Sequence, residues 1–387
     1  MNIVFLSPGA TPHYHKFCVE LKKLGATVLG LGDEVYDQLH PDLKSSLTEF
    51  YRVNDLHHYG DLVRAMGYLT FKHGKIDRLD SLAEYWLETE AKLRTDFHIE
   101  GIKTDSIESI KRKSHMKRVF QKAGLEVARG EVLRSVEDVQ KFVKLVGYPV
   151  IAKPDVGVGA LGTFKIRDSK ELETMFNTKP ANVDYIFEEF IESRICTFDG
   201  LVDVAGQIVY CNSMIYSQGI METVNDDLDV YYYTARDIPL ALQTVGERIV
   251  RAFDLKARFF HFEFFKLSDD HYVPLEVNMR PPGGYTVDMF NYAADVDLYK
   301  AWAEIMLTGK TKLEYDRKYH AVYISRKSRR AYEHSKDQIM QKYGAHILNH
   351  VSVPGVFSSA LGNEGYLYRA DSTQKVLEAA EYIRQKY

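Results

Sequence analysis

Cysteine is scarce in this chain. Its 387 residues hold three, Cys18, Cys196 and Cys211, scattered without metal-type spacing. That argues against a disulfide frame and for reduced thiols in a cytoplasm. Long apolar runs are absent too, and none reaches membrane-spanning length. The opening MNIVFLSPGA lacks a basic region, and its apolar run stops at Ser7-Pro8, unlike a signal peptide. Neither sign of charge dominates: 50 basic and 54 acidic residues leave a net charge of −4, so nothing marks a nucleic-acid binder. There is no long-period repeat and no low-complexity segment. The phosphate-loop pattern G-x-x-x-x-G-K-[ST] is missing. So is a Cys/His or Ser/His constellation of the kind covalent catalysis uses. What remains is a globular chain long enough for two or three subdomains.

The most informative stretch present is HFEFFKLSDDHYVPLEVNMRPPGG, His261 to Gly284. His261–Leu267 alternates with aromatic residues, as a strand does. Ser268-Asp269-Asp270 is turn chemistry. Tyr272–Asn278 resumes the strand. Side chains alternate faces, so Glu276, Asn278 and Arg280 project one way, and a paired hairpin brings Glu263 to the same face. Two carboxylates and an amide oxygen make a hard oxygen site suited to Mg²⁺ with bound phosphates. Arg280 at the exit is placed to grip a phosphate oxygen. A plain surface hairpin with a solvated acidic face is the bland alternative. It fits poorly, because a carboxylate among aromatic and apolar neighbours is costly unless paired or metal-bound.

The rest of the chain can be taken in order. Ile3–Leu6, the helical spacing of Phe17, Leu21 and Leu24, and Thr27–Leu31 give a β-α-β start and hence a parallel sheet. The loop Ser7–His15 lies at the carboxyl end of the first strand, where open α/β sheets place ligands, although His13 and His15 read first as ordinary loop histidines. Further strands are expected at Arg52–Asn54 and Ile76–Leu79, and a helix at Ala83–Phe97. Asp105–Ala123 reads as one charged helix ended by Gly124. Tyr148–Asp168 carries G-x-G-x-x-G at Gly157, Gly159 and Gly162. A strand follows instead of a helix, so the glycines cap a flap whose N–H groups can approach phosphates. Lys153 ends the incoming strand. Tyr185–Arg194 is a strand leading into a linker. Ser217–Thr234 reads as a polar loop over the site, and Leu240–Phe253 as an amphipathic helix. Val287–Leu307 is mostly helical. Residues 311–387 read β, α, β, β, α, with a basic run from Arg326.

E-x-N-x-R after a strand, with a partner Glu on the preceding strand, resembles the metal end of an ATP-grasp domain. DSIESIKRKSHMKRVFQKAGLEVARG resembles the lysine helix of that superfamily, and YPVIAKPDVGVGALGTFKIRD its glycine flap. The resemblance implies an ATP-grasp fold, α/β and α+β in class. It would have an N-terminal parallel α/β domain (1–105) and an ATP-grasp domain (106–310), with a flap lobe about 125–180 and a metal-binding lobe about 185–310. A C-terminal α+β subdomain (311–387) would follow. It implies Glu263, Glu276 and Asn278 as ligands for Mg²⁺ or Mn²⁺, with Arg280 facing the reacting phosphate. It implies Lys113, with Lys111 as near neighbour, and Lys153 on the ATP phosphates. Gly157, Gly159 and Gly162 would serve as the flap, and Glu188, Glu189 and Ile191 would border the adenine. The acid that often bonds the ribose is absent from Ser193–Thr197.

Members mostly use ATP to phosphorylate a carboxylate, which an amine or similar nucleophile then attacks, releasing ADP and phosphate. Carboxylate–amine ligases, including amino-acid ligases, match best. A bicarbonate-activating enzyme like biotin carboxylase or carbamoyl phosphate synthetase is the alternative, as is a nucleotide-binding protein without turnover. The implied partners are a small carboxylate and an amine, with no nucleic acid and no membrane. A homodimer stays open.

Overall fold

Asn2–Leu6 runs parallel to Thr27–Gly32 on one side and to Arg78–Asp80 on the other, and Glu49–Arg52 completes a four-stranded parallel sheet. Alternation decides what each face meets. Ile3, Phe5 and Val28 pack with Phe17, Leu21 and Trp302, while Val4, Leu6, Leu29 and Leu31 pack with Leu62, Met66 and Leu69. Both faces are covered, as parallel sheets require. The computed structural model describes residues 1–11, 13–157, 162–217 and 227–387.

Several expected elements shift. The third strand is Glu49–Arg52 rather than Arg52–Asn54, and the fourth is Arg78–Asp80 rather than Ile76–Leu79. A 15-residue helix, Tyr59–His73, has no counterpart among the elements expected from sequence. Its buried Leu62, Ala65, Met66 and Leu69 hold the i, i+3, i+4, i+7 spacing. Gly60, Gly67 and the outward-facing Tyr68 and Phe71 obscure that stripe.

The single helix expected at Asp105–Ala123 is two helices, Ile107–Lys111 and Lys113–Lys122. Arg112 between them is extended (φ −91°, ψ 117°) and forms a β-bridge with Val156. Asp155 causes the break. Its carbonyl accepts from Lys113 N at 2.9 Å, and its carboxylate accepts from Ser114 N at 2.8 Å and Ser114 Oγ at 3.0 Å. The two backbone N–H groups are orphan donors of the second helix's first turn.

A small antiparallel sheet follows, ordered Gly130–Val132, Tyr185–Glu189, Val150–Pro154, Phe164–Ile166. A nine-stranded antiparallel sheet takes most of the rest. Its order is Tyr272–Asn278, Arg258–Lys266, Arg194–Val202, Met214–Tyr216, Tyr231–Thr234, His320–Arg326, Glu364–Ala370, Ile347–Ser352, with Ile208–Asn212 also on Arg194–Val202. The C-terminal strands thus continue the sheet that holds the metal-type hairpin. Tyr231–Thr234, the end of the expected loop, is an interior strand pairing Tyr232 with Tyr323. Its run of three tyrosines and a threonine suits a pleated, half-buried surface. Residues 218–226 of that loop lie outside the described residues.

One buried polar cluster fastens the parallel unit to this sheet. Arg258 Nη2 lies 3.3 Å from both Asp80 and Glu90, and Arg94 Nη2 lies 2.7 Å from Glu90. Arg258 Nε donates to the carbonyl of Met279 at 2.6 Å, between Asn278 and Arg280. No described helix is long and apolar enough to cross a membrane.

Candidate active site

The hairpin Arg258–Lys266/Tyr272–Asn278 pairs Glu263 with Glu276 and His261 with Asn278. The next strand inward pairs Thr197 with Glu263 and Asp199 with His261. Directly paired residues, and residues two apart, share a face. Glu276, Glu263 and Thr197 therefore form one polar row, and Asn278, His261 and Asp199 the next. The opposite face carries Phe198, Phe260, Phe262, Phe264 and Val277, packed against Met116, Phe120 and Ile249. An apolar floor under a polar face is what the alternating sequence encodes. An extra residue interrupts the pairing just past Glu263, where Phe264 meets Pro274.

The lysine helix and the flap sheet bring cations to these carboxylates. Lys113, the first residue of its helix, lies 3.3 Å from Glu276 Oε1 and donates to the carbonyl of Gly157 at 3.3 Å. Lys111 turns away to Glu84, at 2.8 Å. Lys153 is buried and lies 2.6 Å from Glu188 Oε2, and Lys117 lies 2.6 Å from Glu188 Oε1. Burial works against the Lys153 ammonium, but Glu188, Glu276 and Glu263 outweigh it and raise its pKa. Burial likewise opposes the Glu188 carboxylate, yet Lys153 and Lys117 hold it below the usual carboxylate range. For Lys117 burial wins, and its pKa falls. Burial also opposes ionisation of Glu263, but His261, Arg280 and Lys153 together keep its pKa low. Lys153 and Arg280 thus act on the same carboxylate from the flap and the hairpin exit.

Arg280 donates to the carbonyl of Pro281 at 2.8 Å and lies 3.9 Å from Glu84. Gly157 and Gly162 flank the flap, Gly162 with φ +72°, a conformation that favours glycine. Gly159 lies outside the described residues. Glu188 faces the lysines, while the Glu189 side chain is occupied by Arg129, which lies 2.6 Å from Oε2. Arg129 N also donates to Glu189 Oε1 at 2.6 Å, which turns that carboxylate to the outer edge. Ile191 sits half-buried in the linker after the strand.

Sequence alone read Lys117 as part of a solvated basic run and Asp199 as a weak substitute for the ribose acid, and it gave His261 no part in the site. Lys117 is one turn past Lys113, so i, i+4 spacing signals a shared helix face. His261 is two before Glu263, so strand period signals a shared sheet face. Asp199 needs the strand pairing to reveal it. Arg326 stands elsewhere: it is buried and donates to the carbonyls of Ile383 at 2.5 Å and His334 at 2.8 Å. His13 is buried, its ring stacked 5.2 Å from Tyr285, with no hydrogen-bond partner on either nitrogen among the described residues. Burial lowers its pKa to about 4. His15 stacks on His40 at 4.0 Å.

The donor set suits a hard divalent cation. Glu263 and Glu276 oppose each other across one strand pair, Asn278 follows on the same face, and the Cys196 side chain packs into the apolar layer on the other face. In the protein as described, Lys113 and Lys153 balance that negative charge.

Residues 146–288 match the family model described as the ATP-grasp domain. An L-arginine-specific L-amino acid ligase of Bacillus subtilis is 24% identical over 238 residues, covering 59% of this chain and 57% of that protein's length. The solved L-amino acid ligase from Bacillus licheniformis superposes with a TM-score of 0.76 at 14% identity, covering 98% of this chain and 96% of that one. The biotin carboxylase domain of a Hydrogenobacter thermophilus 2-oxoglutarate carboxylase, solved with MgADP, ADP and bicarbonate, gives 0.69 at 18% identity. It covers 96% of this chain and 86% of that one.

Proposed function

From the premise that this chain carries an ATP-grasp domain, we propose that it is an ADP-forming ligase joining a carboxylate to an amine through an acyl phosphate. The observation that carries the proposal is a pair of lysines at the carboxylate face: Lys113 lies 3.3 Å from Glu276, and Lys153, held by Glu188 at 2.6 Å, is buried beside it. Cations beside a pair of hard-oxygen carboxylates suit a metal-bound polyphosphate better than a neutral ligand. Mg²⁺, when bound by Glu263, Glu276 and Asn278, would supply charge neutralisation to the phosphates.

The chain's own residues then have distinct tasks. Lys113 and Lys153 hold ATP phosphates, the flap from Gly157 to Gly162 covers them, and Glu188 orients Lys153. The substrate carboxylate oxygen attacks the γ-phosphorus, and the bond to the ADP oxygen breaks. Arg280 stabilises the negative charge on the phosphoryl group in transit. The amine nitrogen then attacks the acyl carbon, phosphate departs with the former carboxylate oxygen, and the nitrogen loses a proton. The acyl phosphate hydrolyses readily, so covering it against water protects the product. Amino acids are the first acids and amines to screen, given the likeness to amino-acid ligases.

Oxygen-18 in the substrate carboxylate tests the route. One labelled oxygen is expected in the released phosphate. AMP and pyrophosphate as products would rule the route out. Label retained wholly in the product, with ADP still formed, would favour bicarbonate activation or plain ATP hydrolysis.

A further inference from the structure

We propose that His261 is a positioning residue for the metal site, holding one oxygen of Glu263 so that the other stays directed at the cation. This rests on the reading of Glu263, Glu276 and Asn278 as metal ligands. The observation behind it is a continuous hydrogen-bonded chain. Met214 N donates to Thr197 Oγ1 at 2.8 Å, and the Thr197 hydroxyl donates to Asp199 Oδ2 at 2.5 Å. Asp199 Oδ1 lies 2.6 Å from His261 Nδ1, and His261 Nε2 lies 3.2 Å from Glu263 Oε1. The ring therefore meets a carboxylate oxygen on each side, and a hydrogen on Nε2 is what lets it donate to Glu263.

The sheet sets this chain of contacts. Asp199 pairs directly with His261, and Thr197 with Glu263, so the spacing is that of the ladder itself. Glu263 is also where the outer ladder loosens, because the register slips immediately after it. A carboxylate at an irregular point of a strand gains most from a side-chain tether. Burying a polar chain of this kind is an expensive way to gain stability, since apolar side chains of similar volume serve as well. The chain also ends on the one member open to the site: the side chain of Glu263 is 28% exposed, while that of Asp199 is fully buried. Outer contacts of this kind hold a ligand's orientation and tune metal affinity.

The pair His261→Asn and His261→Gln separates the two ring nitrogens. The asparagine amide reaches the Nδ1 position and keeps Asp199 partnered but falls short of Glu263. The glutamine amide reaches the Nε2 position and restores a donor to Glu263. Binding of Mn²⁺ in the presence of ADP is read by electron paramagnetic resonance, with ADP affinity without metal and the thermal midpoint measured alongside. His261→Asn should weaken Mn²⁺ binding roughly tenfold or more, and His261→Gln should recover most of it, with metal-free ADP affinity unchanged. Wild-type Mn²⁺ affinity in His261→Asn overturns the proposal. So does equal weakening in both variants with a matching fall in thermal midpoint, which marks a structural role. Should His261→Asn fail to fold, His261→Asn with Asp199→Asn removes the uncompensated charge, and wild-type affinity there overturns the proposal likewise. Glu276→Ala is the control. Unchanged Mn²⁺ binding in that variant defeats the metal assignment and this inference with it. Lost binding there, with His261→Asn silent, defeats this inference alone.

Discussion

Lys113 Nζ stands 3.3 Å from Glu276 Oε1 while donating to the Gly157 carbonyl, so one ammonium group bridges the proposed metal carboxylate and the start of the flap. Lys113 occupies the electrostatic place of a cation. Nucleotide phosphates would draw it off Glu276 and open that carboxylate to metal in the same step.

Metal binding should therefore depend on nucleotide in the wild type and less so without this lysine. Lys113→Met should raise nucleotide-free Mn²⁺ affinity roughly tenfold, about 1.4 kcal/mol, while raising the KM for ATP. Mn²⁺ titration without nucleotide gives the answer. Unchanged or weaker binding would mean that the contact does not compete with metal.

Arg280 acts on Glu263 electrostatically and is otherwise held only by the Pro281 carbonyl and Glu84 among the described residues. Arg280→Ala should lower kcat on the order of 10²-fold, the cost of losing one preorganised charge partner. ATP affinity by equilibrium binding should change little. A loss expressed wholly in the KM for ATP would assign Arg280 to ground-state binding instead.

Among the described residues of the buried cluster, Arg258 comes from the nine-stranded sheet and meets Asp80 and Glu90 of the parallel unit, where Arg94 also pairs with Glu90. Arg258→Met leaves Asp80 and Glu90 under-compensated and frees the Met279 carbonyl. Breaking a buried pair from one side costs roughly 3–5 kcal/mol, so the urea midpoint should fall sharply. A drop under about 1 kcal/mol, within the range of surface pairs, would show that the cluster does not clamp the parallel unit to the sheet.

His13 gives a pH dependence of known sign. Burial lowers its folded-state pKa to about 4, against 6.5 for an exposed imidazole. Between those values the unfolded chain binds a proton that the folded one does not, so stability falls as pH drops from about 6.5 toward 4. From pH 7 to 5 this amounts to about 2 kcal/mol. His13→Phe removes it, so the variant should lose that much less stability than wild type over the same interval, measured by urea unfolding at both pH values. Equal losses would place the His13 ring in contact with water.

Much of the site was legible because strand period is a local property. Glu263, Glu276 and Asn278 share a face for the reason alternation gave, and the register Glu263↔Glu276 follows from the hairpin. The two strands flanking the flap read alike in sequence and structure, with Lys153 on the incoming one. The parallel start, with its β-α-β spacing, was equally open to view. Tyr59–His73 was not, because exposed aromatic residues beside two glycines hid a regular buried stripe.

Other features belong to contacts between distant segments, which no local pattern records. The lysine helix looks continuous from Asp105 to Ala123, and its propensity supports that. Asp155, more than thirty residues on, captures the donors of Lys113 and Ser114 and breaks it at Arg112. That break makes Lys113 the first helical residue, facing Glu276, and turns Lys111 toward Glu84. Arg326 ends its strand as sequence expects, but the carbonyls of His334 and Ile383 take its guanidinium. Sequence by itself determined which residue types stand at which face of each strand, since period depends only on neighbours along the chain. The tertiary structure alone decided which charges meet, because a buried charge settles on whatever partner packing brings near, at any distance in sequence.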